Sequence, residues 1–224
     1  MATGRQPQQV AKRALILGAI AFRSSLEVTD HPRVVEISQR LLPWLTELGC
    51  GDELDPIERE LLETPLGQLS DSQRIDANWA GEEAALFCWM LTLAAPLEEA
   101  NRADQSGLSS VLFILKPEAA EILRSASLRE RAEIEETCRH IVLIRSILQE
   151  SRIEPPARDI VRRVNVQRLS EVGLAVTEDA VQRASEAVSR MTAEEQSRVA
   201  GVYFIRDHAA LWFLSDRGSY FGGA

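Results

Sequence analysis

Three groups of side chains in this sequence have types and spacings that could do chemistry. Trp79, Glu82 and Trp89 lie on one stretch, with Glu82 a helical turn beyond Trp79 and both ahead of the most apolar run of the chain. A carboxylate at the edge of such a core has two readings. It accepts hydrogen bonds from backbone or from an Arg of a packed helix and holds elements in register, which is the reading preferred here. Otherwise burial raises its pKa and makes it a general base or ligand anchor. Phe204, His208 and Trp212 recur every four residues and so share one helical stripe, which reads as a core or groove histidine. Asp207 adjoins His208 in sequence and therefore points elsewhere, so it is not placed to orient the imidazole as a triad acid would. Glu136 and His140, with Glu133 one turn earlier, would face the same way on a helix and could begin a metal site. Carboxylate-bridged bundles pair Glu-x-x-His motifs on two helices with single Glu ligands on two others, and no second motif occurs here. The expectation is a surface pair of Glu136 with His140, with no metal and no cofactor.

Nucleophilic chemistry is poorly provided for. Cys50, Cys88 and Cys138 are far apart, odd in number and without a C-x-x-C spacing, so they read as reduced, buried thiols. The histidines are His31, His140 and His208, and none is announced by a local motif. The sequence has no Gly-x-Ser-x-Gly elbow, no phosphate-cradling glycine loop and no dinucleotide fingerprint. Should a reaction exist, Glu82 and His208 are the catalytic candidates, and Trp79, Glu82 and Trp212 would line the ligand pocket.

A formal net charge of −9 and a pI near 5.0 disfavour nucleic acid, whose phosphates need a concentrated excess of cations. Lys occurs at Lys12 and Lys116 alone, and Arg is scattered among Glu and Asp as on a salt-bridged surface. Of the 224 residues, 45% are hydrophobic, enough for a sizeable core. No stretch reaches the ~20 apolar residues that span a bilayer. The apolar run over 14–22 follows Arg5, Lys12 and Arg13 as an export signal would, but Arg23 comes at once and no small-residue cleavage site follows. It reads as the first core helix of a soluble, cytoplasmic protein.

The elements that must position these groups are helices. Spacing predicts them over about 10–28, 32–48 with Pro43 late in the pattern, 56–62, and from a Ser70 or Asp71 N-cap to Pro96. Further helices are predicted over 117–125, 128–149 and 178–190, and over 192–214 behind the capping box of Thr192 and Glu195. The segment 161–177 reads as irregular. Runs 111–115 and 174–176 leave room for at most a very small β element in a mainly α, multi-helix bundle-like domain. That domain covers 10–215, with a sub-division near 101–107, between flexible tails at 1–9 and 216–224.

Residues 60–69, with the Pro65-Leu66-Gly67 turn, then Gln73-Arg74-Ile75 and the stretch from Trp79 to Leu91, resemble the bacterial family catalogued as domain of unknown function 4272. That family's pattern is a Pro-Leu-Gly turn, then Trp-Arg-x-Glu, then a second Trp in an apolar helix. Trp79, Glu82 and Trp89 fall in register, and the N-terminal helix with Arg13 and Arg23 is similar. Ala80 stands where the family has Arg. In the last helix the family tends toward Glu-Arg-His with an Asn before Trp, whereas this chain has Ile205, Arg206 and Asp207, with Leu211 before Trp212. His208 is one position out of register, so the family's polar set is incomplete here. The resemblance implies a fold and no established reaction. The leading functional expectation is a non-catalytic protein-interaction module with another protein as partner and an acidic helical surface. The alternative is a small-molecule binder or hydrolase with its pocket near Glu82 and His208.

Overall fold

A computed structural model describes residues 5–99, 101–154 and 157–215. The described residues are mainly helical and contain no strand. Their core divides into two compact units, one formed by residues 6–96 and 103–128, the other by Arg5 and residues 97–102 and 129–215.

The first unit is built on two helices, α1 (Pro7–Leu26) and α5 (Asp71–Met90), which pack along each other. Each is apolar around most of its girth, as helices at the centre of a bundle must be. Residues 13–21 of α1 and 80–90 of α5 are buried throughout. Pro7 starts α1 where its missing N–H costs nothing. Ser70 caps α5, accepting from the Gln73 amide at 3.2 Å while the Gln73 side chain accepts from the Ser70 amide at 2.9 Å. Around this pair lie α2 (Val34–Gln39), α3 (Leu41–Glu47), a 3-10 turn, α4 (Pro56–Glu63), α6 (Gln105–Val111) and α7 (Ala119–Arg124). The single helix expected over 32–48 is two, because the chain bends at Arg40 and Pro43 then sits in the first turn of α3, where a missing N–H is tolerated.

Charge is also used inside this unit. Arg13 meets Glu58 through both guanidinium arms, and both side chains are buried. Arg23, fully buried, donates to Glu27 at 2.6 Å and to the Thr64 carbonyl at 3.1 Å. Glu27 in turn accepts from the Gly67 amide at 2.9 Å. This clamp ties the Thr64–Gly67 turn to the end of α1, and Gly67 adopts the φ of +82° that the turn requires.

The second unit is organised on α8 (Arg131–Glu150), against which α9 (Ala157–Glu171), α10 (Glu178–Ser189) and α11 (Ala193–Leu214) pack. Ile134, Cys138, Ile141 and Leu148 form the buried stripe of α8 that their spacing predicts. Thr192 and Glu195 make the expected capping box at the start of α11. The segment read as irregular over 161–177 is instead helical to Glu171. Its buried face carries the polar Asn165 one turn before Leu169, which breaks the apolar period in the sequence. Neither candidate β run is a strand. Phe113 and Leu115 take left-handed φ values of 50° and 62°, which no extended run tolerates, and 174–176 joins α9 to α10 without a pairing strand. Of the tails expected at 1–9 and 216–224, residues 1–4 and 216–224 lie outside the described residues, whereas residues 7–9 form the first turn of α1, which Pro7 opens.

Candidate functional site

Glu82 lies on α5 in the first unit, completely buried, and its Oε1 accepts the Ala103 amide at 2.8 Å. The carboxylate thus fixes the residue just before the N-cap of α6, Asp104, which caps the Ser106 amide at 3.0 Å. Trp79 is half-buried one turn earlier on α5, and Trp89 is buried further along it. Cys88 beside Trp89 is completely buried, and burial pushes its thiol up to about 12, far from a nucleophilic thiolate at neutral pH.

His208 and Trp212 belong to the second unit, both half-buried on α11. Arg5 lies over the Trp212 ring, its guanidinium carbon 4.6 Å from the centroid. The stripe containing these residues is not a core stripe. Phe204 is 55% exposed, while Val199, Val202, Tyr203, Ala210 and Phe213 carry the core face of α11. Glu136 and His140 do not pair with each other as expected. Glu136 is held by Arg139 and Arg183, and His140 Nε2 lies 3.1 Å from Glu99. Among the described residues no group of three His, Cys, Asp or Glu side chains could hold a metal ion.

The residues that depart from the resembling family's last helix are structurally engaged. Arg206, buried, donates to the Glu98 and Asn101 carbonyls, both at 3.0 Å, and so gathers the 97–102 segment. Asp207 is buried and its Oδ2 accepts from Arg168 at 3.0 Å and lies 3.2 Å from Arg145. Arg168 also donates to Asn165 at 3.1 Å, Asn165 donates to Ser146 at 3.1 Å, and Ser146 donates to Glu150 at 2.9 Å. Arg162 closes the chain onto Glu150 at 2.7 Å. A continuous polar network therefore joins α8, α9 and α11 inside the second unit. Its Asp207 Oδ1 is buried and has no hydrogen-bond partner among the described residues. Burial pushes this carboxyl above the usual aspartate range, against the opposing pull of Arg145 and Arg168.

Arg145 connects this network to the surface. Its guanidinium carbon sits 5.1 Å from the centroid of the Phe204 ring, and both side chains line a groove of about 360 Å³ between α8 and α11. Leu148, Arg152, Ile153 and Gly201 complete the groove with Gln149 and Ala200. Its lining thus joins an exposed aromatic ring, aliphatic side chains and two guanidiniums, with no carboxylate. A second groove of about 420 Å³ in the first unit, bordered by Val35, Leu42 and Pro65, has Glu63 as its one charged lining residue. Sequence reasoning picked the neighbouring stripe but missed Arg145, Arg152 and Asp207 as a set. Their signal was Asp207, beside Arg206 and His208 in the otherwise apolar stretch 199–214 of α11. No family model, curated protein or solved structure matches this chain.

Proposed function

We propose that this chain is a non-catalytic helical interaction module that docks another protein in the groove between α8 and α11. Phe204 carries the reading: a large aromatic side chain left more than half exposed beside a concave, aliphatic-lined groove is the arrangement that interface anchors use. Arg and aromatic side chains are also the types enriched at such contacts, and Arg145 over the Phe204 ring supplies both side by side. The proposal includes membership of the bacterial domain of unknown function 4272 family, supported by Trp79, Glu82 and Trp89 on α5 and by the Thr64–Gly67 turn, and a cytoplasmic setting. Among the described residues no helix is long and apolar enough to cross a membrane.

The test compares the wild-type chain with Phe204→Ala, both immobilised in cell extract. A partner identified on the wild type and then purified should bind the wild type directly and lose at least about tenfold in affinity for the variant. Equal binding to both, or a turnover found by substrate screening with no partner recovered, would sink the reading.

A further inference from the structure

Resting on the docking reading above, we propose that the groove takes an acidic segment of its partner, with an apolar side chain laid on Phe204 and a carboxylate held by Arg152 and Arg145. The groove's charge is opposite to that of the molecule. In a chain of net charge −9 its lining has two guanidiniums, Arg145 and Arg152, and no Asp or Glu. Arg152 is exposed and spends one donor on the Ser197 carbonyl at 3.3 Å, which positions a guanidinium whose remaining donors can meet a carboxylate in the two-pronged geometry these groups favour. Arg145 is anchored from behind by Asp207 and from the side by the Phe204 ring, so it is presented without further ordering. Leu148, Ile153 and the ring give the apolar half of the site.

The same features select the class of occupant. About 360 Å³ is near the lower end of ligand-sized pockets and admits a short extended segment, one or two side chains deep, rather than a whole helix. Two cations in an otherwise acidic chain suit one or two carboxylates, whereas a nucleic acid or an anionic membrane would meet net repulsion across the rest of the surface.

The experiment titrates the full-length, isotope-labelled chain with three capped tetrapeptides: Glu-Leu-Asp-Phe, its neutral counterpart Gln-Leu-Asn-Phe, and its basic counterpart Lys-Leu-Lys-Phe. Amide shifts at Gly201 and Phe204 are followed by NMR up to about 2 mM peptide, a range that reads millimolar affinities. The acidic peptide should bind at least about tenfold more tightly than the neutral one and weaken as salt is raised. Arg152→Glu, a change at an exposed position, should remove that preference and favour the basic peptide. Asp207→Asn, which releases Arg145 from its buried counter-charge, should tighten the acidic peptide several-fold. Equal binding of acidic and neutral peptides, unchanged by Arg152→Glu but lost in Phe204→Ala, overturns the charge assignment and leaves the docking reading standing. No shift at Gly201 or Phe204 with any of the three peptides overturns both.

Discussion

At Asp207 two guanidiniums and a dry environment pull the same proton equilibrium in opposite directions, and burial sets the direction. A carboxyl whose folded pKa lies above its unfolded value of about 3.9 binds more protons in the native state between the two values. Stability from this group is therefore present at and below the unfolded value and is lost as pH rises through the folded one. The stability difference between wild type and Asp207→Asn, measured by urea unfolding at a series of pH values, should shrink as pH rises from about 4. A difference that grows across the same range would show that the Arg pair dominates. Glu82 makes a different prediction. If its role is to accept the Ala103 amide, Glu82→Ala leaves a partly buried donor without that acceptor and should cost about 1–2 kcal/mol in urea unfolding, with Glu82→Gln recovering part of it. A general base retained for chemistry at the expense of stability would give no loss, or a gain.

Helix capping, turn glycines and apolar girth account for most of the elements, and Phe113 and Gly18 are among the positions carrying backbone or steric tension that the element pattern hides. Phe113 ends α6 in the left-handed region, with the Ile114 amide reaching back to the Ser109 carbonyl at 3.1 Å, a closure that ordinarily uses glycine. Replacing Phe113 by Gly should lower Tm, because the covered part of its ring contributes about 2–3 kcal/mol and outweighs the ~1 kcal/mol of backbone cost that glycine relieves. Gly18 lies in the middle of α1, where alanine is the better helix former, yet a Cβ there would collide with the Leu112 side chain. Gly18→Ala should therefore cost about 1–3 kcal/mol, and Gly18→Ala combined with Leu112→Ala should cost less than the two singles added together. Simple additivity in that cycle would remove the close approach as the cause.

For the whole molecule, neither compact unit is one continuous segment. The chain leaves the first unit after Pro96, returns at Ala103 and leaves again after Leu128. The short 97–102 piece is needed by the second unit, since it provides the Glu98 and Asn101 carbonyls to buried Arg206 and the Glu99 carboxylate to His140. A fragment of residues 129–215 keeps the helices of that unit but takes these acceptors from a buried guanidinium. It should show helical far-UV circular dichroism with poorly dispersed NMR amide signals, while the full chain is well dispersed. A well-dispersed fragment would show that the 97–102 segment is dispensable.

The helical class was legible because it depends on local causes: capping residues such as Ser70 and Thr192, the four-residue recurrence of apolar side chains on α8, and runs too apolar to sit at a surface on α1 and α5. Those causes act within a turn or two of the chain. The sequence failed where a buried position is polar, as at Asn165, since the hydrogen bonds that make such a residue acceptable come from another helix. The candidate site shows the same limit. Phe204, His208 and Trp212 were found as one stripe by spacing alone, but spacing says which residues share a face and not whether that face looks inward. Whether Phe204 stays in solvent, and whether Arg145 and Arg152 come to flank it, is decided by the packing of α8 against α11, residues some sixty positions apart in sequence, with Asp207 holding Arg145 between them.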